Sequence, residues 1–209
     1  MARPVTVQST FPNFTTFDPA TGAISGSTIL ERHLSDLQGY FADETAYAAA
    51  RQQGNPLLYR VTTVAPAHGE GALNHCISLI MPGQIGQEYY MTKGHYHAWR
   101  PAAEYYIGLR GTGIVLLEDE RTGQAWSNPL IPNGVVYIPG YAAHRTVNTG
   151  AEPLLFLCVY AANAGHDYGA IQARNFQQVV VAVNGEPTVL ERSAFIPNKN
   201  GQTNSQKAN

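Results

Sequence analysis

From Pro56 onward the chain alternates short apolar runs rich in Val, Ile, Leu, Tyr and Thr with turn residues. Such runs, bounded by Gly, Pro and Asn, have the signature of β-strands joined by tight turns. The pattern predicts strands over 57–64, 73–81, 87–94, 95–98, 103–109, 114–118, 124–130, 134–138, 144–148 and 153–160. Asn184-Gly185, between Val179–Val183 and Thr188–Leu190, signals a type I′ hairpin. Strands at this spacing predict an all-β sandwich or barrel. Residues 28–53 read as the one helical region. Asp43 suits an N-cap, the stretch from Ala46 to Ala50 is alanine-rich, Gly54 can close the helix, and Asn55-Pro56 stops it. A second short helix is expected near Ala170–Arg174. Residues 1–14 read as an extended arm, and the polar stretch from Ser193 as a disordered tail. A single domain is expected over 1–192, with its barrel core at about 56–162 and the tail at 193–209.

Candidate chemistry concentrates in Thr92-Lys93-Gly94-His95-Tyr96-His97. Alternate residues of a strand share a face, so His95 and His97 would enter one interior. Glu104 follows a linker containing Pro101, and a turn there could bring it back with Tyr106 on the inward face. Pro139-Gly140 marks another turn, after which a strand would carry His144 inward. Three imidazole nitrogens from His95, His97 and His144 and the Glu104 carboxylate would then converge, a donor set that suits a divalent first-row metal. Strict alternation would send Thr92 and Gly94 to the opposite face, so any role for them in the same interior requires a bulge or turn at Gly94.

The spacing HxH-x6-E-x6-G, followed by G-x4-P-x4-H-x3-N, resembles the paired metal motifs of the cupin superfamily. The long gap before the glutamate and the glycine directly after Pro139 are similar to one branch, the cupin-type phosphoglucose isomerases of archaea and some bacteria. That branch's motifs correspond to Thr92–His97, Tyr137–Asn148 and Ala164–Gly169, and Leu34–Phe41 resembles its N-terminal region. The resemblance covers roughly residues 15–190. It implies a cupin double-stranded β-helix, a jelly-roll barrel with an N-terminal arm and one or two short flanking helices. It also implies interconversion of glucose 6-phosphate and fructose 6-phosphate on one divalent ion per subunit, iron(II) first, with manganese, nickel or zinc able to use the same ligands. Glu104 is then a metal ligand, the base between C1 and C2, or both, and Tyr106 orients a sugar hydroxyl or merely lines the barrel. Tyr59, Ser78, Thr92, Gly94 and Tyr160 fall at phosphate-pocket positions, with Ser78 replacing the usual threonine. His166 and Tyr168 fall near the sugar; the alternative for His166 is a loop-fixing pair with Asp167.

Composition narrows the remaining choices. Charged residues make up 13% of the 209 and the formal net charge is −2. That is no footing for nucleic-acid or polybasic membrane contacts. The three lysines are Lys93, Lys199 and Lys207, so Lys93 stands alone in the expected folded body. Cys76 and Cys158 sit in apolar runs and read as small core residues. Met1–Gln8 lacks an apolar signal core and no apolar run could span a bilayer, so a cytoplasmic protein is expected. A homodimer is expected too, since a small barrel of this kind can bury an exposed sheet face against a twin. Two other readings stay open: an iron-dependent cupin dioxygenase, and a non-catalytic sugar-binding cupin.

Overall fold

The computed structural model describes residues 15–65 and 67–197, so the expected arm at 1–14 and most of the expected tail lie outside the described residues. The strands run β1 (Thr28–His33), β2 (Leu57–Val64), β3 (Leu73–Ile80), β4 (Gln84–Ile85), β5 (Glu88–Tyr89), β6 (Glu104–Arg110), β7 (Gly113–Asp119), β8 (Ala125–Leu130), β9 (Val135–Ile138), β10 (Ala142–Asn148), β11 (Leu154–Ala161), β12 (Gln178–Val183) and β13 (Glu186–Glu191). Helix α1 is Glu44–Gln53 and α2 is Gly169–Arg174. The strands form a six-stranded sheet ordered β1-β2-β3-β11-β6-β9, a three-stranded sheet β10-β7-β8, and a four-stranded sheet β13-β12-β5-β4. Every paired neighbour is antiparallel. This is the all-β architecture read from the alternation.

One continuous core joins the layers. Ile80, Phe156 and Tyr106 from the six-stranded sheet pack in the same cluster as Val115, Leu117 and Val147 from the three-stranded one. Helix α1 lies outside this core and buries no residue completely, while Ala46, Tyr47 and Ala50 lean against it. Its N-cap is Asp43, whose carboxylate accepts the Ala46 N–H at 2.8 Å. The Arg51 guanidinium donates to the Gly54 carbonyl at the other end. Asn184 and Gly185 both take positive φ, 54° and 85°, as the expected hairpin demands.

Three expectations are corrected. The helical region is confined to Glu44–Gln53, because Thr28–His33 is a strand and Leu34–Leu37 a 3-10 turn. Pairing with β2, Leu30 opposite Val61 and Arg32 opposite Tyr59, outweighs whatever local helical preference the segment has. The expected long strand 87–94 is reduced to Glu88–Tyr89 with an isolated bridge from Met91 to Val147. Likewise 95–98 is held by single bridges, His95 to His144 and Tyr96 to Asp167. The interruption is Gly94, which takes φ +72°. A Cβ there would meet Phe176 Cε2 at 2.5 Å, the His144 carbonyl oxygen at 2.9 Å and Arg145 Cβ at 3.0 Å. Only glycine fits both the backbone and the space.

Candidate active site

His95 and His144 are fixed first. Their backbones exchange hydrogen bonds, His95 N–H to the His144 carbonyl at 3.2 Å and His144 N–H to the His95 carbonyl at 3.0 Å. The two rings therefore stand on neighbouring chain segments with centroids 4.3 Å apart. His97, two residues on, brings its ring to 5.8 Å from that of His95, as the shared face requires. Nitrogens of all three imidazoles lie within 4.8 Å of one another. Glu104 opens β6, and its Oε2 sits 3.2 Å from His97 Nε2 and 3.3 Å from His144 Nε2. The carboxylate thus touches two members of the nitrogen group.

The hydrogen bonds decide which nitrogens face inward. His97 Nδ1–H donates to the Ala102 carbonyl at 3.0 Å, and His144 Nδ1–H to the Ala142 carbonyl at 3.4 Å. In a neutral imidazole so oriented, Nε2 carries the lone pair. Both Nε2 atoms then face a carboxylate oxygen, lone pair to lone pair, which is favourable only with a proton or a cation between them. His144 Nε2 is buried and has no hydrogen-bond partner among the described residues. Burial and the neighbouring imidazoles of His144, His166 and His97 push His95 well below the usual histidine range, so it is a neutral donor. Burial also disfavours a charged His97, but the Glu104 carboxylate beside it prevails and raises it. Burial would raise Glu104, yet the His144 and His97 imidazoles hold its pKa below the ordinary carboxylate value. A buried anion ringed by nitrogens, one of them orphaned, fits a divalent cation.

This cluster lines a cavity of about 320 Å³, within the range of small-molecule sites. The expected metal ligands and every residue expected at the sugar or the phosphate line it, while Lys93 and Asp167 do not. Tyr59 enters from β2, Ser78 from β3 and Tyr160 from β11. Thr92 and Gly94 share the same wall because the turn at Gly94 breaks the alternation. Tyr106 packs on Phe156 at 4.8 Å and meets the His144 ring nearly at right angles, 5.8 Å away. His166 and Tyr168 lie with rings parallel, their centroids 4.5 Å and 5.3 Å from His95. The suggested His166–Asp167 pair is not formed. The Asp167 carboxylate accepts instead from Arg100 at 2.6 Å, and Arg100 also donates to the His97 carbonyl at 2.6 Å. That bracket ties the loop carrying His166 and Tyr168 to the segment carrying His97.

Sequence reasoning missed two parts of the wall. Cys76 and Cys158 are buried core residues, as read, and free thiols; they are also cross-strand partners that line the cavity, which the sequence reading did not include. Arg32 was hidden by the helical reading of 28–53. Its signal was Thr28-Ile29-Leu30, β-branched and apolar, with Leu30 and Arg32 at alternate positions.

Comparison with known proteins places the chain in a family. The family profile described as Glucose-6-phosphate isomerase (GPI) matches residues 31–195. The glucose-6-phosphate isomerase of Pyrococcus abyssi is 43% identical over 171 residues, 82% of this chain and 90% of that protein. That of Pyrococcus horikoshii is 44% identical over 174 residues, 83% and 92% of the two chains. A bacterial glucose-6-phosphate isomerase, from Sinorhizobium medicae, is 35% identical over 81% of this chain and 79% of its own. Among solved structures, an oxalate oxidase overlays 55% of this chain and 56% of its own at 15% identity, with a TM-score of 0.46. At the identity of the curated relatives, over that share of both sequences, the chain belongs to the glucose-6-phosphate isomerase family in its cupin form.

Proposed function

We infer that this protein interconverts glucose 6-phosphate and fructose 6-phosphate by moving hydrogen between C1 and C2. The observation that carries the reading is one cavity holding an ionised carboxylate beside three imidazole nitrogens, with hydroxyl groups along the same wall. His95, His97, His144 and Glu104 are the residues that would hold a divalent metal, for which we propose iron(II); manganese, nickel and zinc match the same donors. When bound, such an ion supplies Lewis-acid polarisation of the sugar oxygens at C1 and C2.

The protein's own groups carry the proton. Glu104 is the base: its Oε2 faces the imidazoles, and its Oε1 takes no hydrogen bond from the described residues. In the aldose it removes the C2 proton, the C2 electron pair forms the C1–C2 double bond, and the C1 carbonyl pair moves to O1. Return of the proton to C1, with O2 becoming the carbonyl and its proton passing to O1, completes the ketose. Tyr106, His166 and Tyr168 stand where they can orient sugar hydroxyls. Burial raises the pKa of both Tyr106 and Tyr168, so each stays a neutral O–H donor. Tyr59, Ser78, Thr92, Gly94 and Tyr160 are proposed for the phosphate end.

The same reading takes residues 1–192 as one domain and 193–209 as a tail. It assigns the protein to the cytoplasm, the compartment of sugar phosphates, and gives it neither a nucleic-acid nor a membrane partner. Among the described residues no helix is long and apolar enough to cross a membrane. A homodimer is part of the proposal, supported by Tyr105, Tyr137 and Val135, half or more exposed on the outer side of β6 and β9. Metal-replete protein given fructose 6-phosphate is expected to form glucose 6-phosphate without consuming oxygen. Oxygen uptake without isomerisation would move the chain to the dioxygenases, and binding without either would make it a sugar-binding cupin.

A further inference from the structure

Arg32 stands directly opposite Tyr59 in the β1–β2 pair, and both side chains line the cavity. Arg60, Arg100, Arg110, Arg121, Arg174 and Arg192 each have a carboxylate partner. Arg32 has none among the described residues, and it is the one arginine or lysine on the cavity wall. The wall's single acid, Glu104, belongs to the imidazole cluster, on β6, four strands away in the sheet order. The cavity therefore carries opposite charges on separate strands.

Neutral donors share the cavity with Arg32. The Tyr59 hydroxyl is approached by the Arg32 guanidinium and by the Lys93 backbone N–H. The Thr92 hydroxyl accepts the Thr146 N–H at 3.1 Å, which leaves its own proton to give. Gly94, in the left-handed region, finds no backbone acceptor for its N–H among the described residues. Amide groups around a left-handed residue form a concave anion site.

We propose that Arg32 is the charged member of the phosphate subsite, gripping the substrate's phosphate and selecting phosphorylated over free sugars. The identity of the anion rests on the isomerase reading; the subsite itself rests on the residues above. A guanidinium matches two phosphate oxygens at once, which lysine cannot do. Arg32 touches no reacting carbon in this account, so it sets binding, while Glu104 sets turnover.

The test uses the full metal-replete chain and the variants Arg32→Met, which keeps the apolar stem, and Arg32→Lys, which keeps the charge. Calorimetry with glucitol 6-phosphate, glucitol and inorganic phosphate separates the anion from the polyol. Arg32→Met is expected to weaken glucitol 6-phosphate and phosphate about 10- to 100-fold and to leave glucitol within about 2-fold. Arg32→Lys should fall between the parent and Arg32→Met. With fructose 6-phosphate, KM should rise by a similar factor while kcat stays within about 3-fold. Undiminished phosphate and glucitol 6-phosphate binding in folded Arg32→Met overturns the proposal. So does an equal loss for glucitol, which marks a merely structural role. Should Arg32→Met fail to fold, parent-like affinity for both anions in Arg32→Lys overturns it equally. A parent protein that binds glucitol 6-phosphate through Arg32 without turning over fructose 6-phosphate supports the subsite and removes the isomerase reading instead.

Discussion

Glu104 has conflicting surroundings: burial favours its neutral acid, and two imidazoles favour its anion. The anion wins, which is the state a base needs. With Glu104 as the proposed base, Glu104→Ala should lower kcat about 10²- to 10⁴-fold, the usual span for positioned acid–base catalysis. Ser78 is a different case. Its hydroxyl lies 3.7 Å from Cys158 Sγ, a weak contact, and it is one of several donors on its wall. Ser78→Ala should cost about one neutral hydrogen bond, roughly 10-fold or less in KM. Steady-state kinetics on both variants, with metal content checked, measures the ranking, and the reverse order at equal metal content contradicts the assigned roles. Gly94→Ala should be worse than its single methyl suggests. It would force a positive φ on alanine and press Cβ against the His144 carbonyl and Phe176. The expected result is lower thermal stability together with lower activity, read by melting and by the isomerase assay.

The turn that bends Thr92–Gly94 into the cavity is braced from behind. Arg145 lies on β10, fully buried, with its guanidinium 4.5 Å from the Phe176 ring centroid and 5.6 Å from that of Tyr40. It donates twice to the Lys93 carbonyl, at 2.7 and 3.2 Å, and once to Asn175 Oδ1 at 2.7 Å. Arg145→Met would leave that carbonyl without its donors, at a cost of about 1–3 kcal/mol. If the turn serves substrate binding as proposed, KM should rise more than kcat falls. A change in kcat alone would show that the brace serves the imidazoles and not the turn.

The same segments show what the sequence could and could not disclose. His95, His97, Glu104 and His144 were legible because their spacing and the turn at Pro139-Gly140 are local features. Their meeting needed only strand alternation and two turns. The route of Thr92 and Gly94 to that cavity needed a broken alternation, and a glycine inside the motif was the visible clue. β1 was not legible. Its strand state comes from pairing with β2 across α1, a non-local contact that a local helical reading of 28–53 cannot register. Arg32 was lost with it.

The imidazole cluster and the pocket draw on strands of the six-stranded and three-stranded sheets, so binding at the cluster should stabilise the whole fold. A ligand at about 100 times its Kd adds roughly 2.7 kcal/mol, which for a chain of this size is about 5–10 °C in melting temperature. Chelation should reverse that shift, and an unchanged Tm would argue that the cluster holds no ion. The outer face of β6 and β9 presents Tyr105, Tyr137 and Val135 to solvent. Sedimentation should accordingly report a species of twice the chain mass of 22.7 kDa. A concentration-independent single-chain mass would end the dimer proposal.

The most direct measurement is a coupled assay of glucose 6-phosphate formation from fructose 6-phosphate, run on the chain as purified, after chelation, and after return of iron(II). Turnover as purified, its loss with the chelator and its recovery with the ion are the predicted results. Absence of turnover in folded protein shown by elemental analysis to carry a full complement of metal would contradict the account.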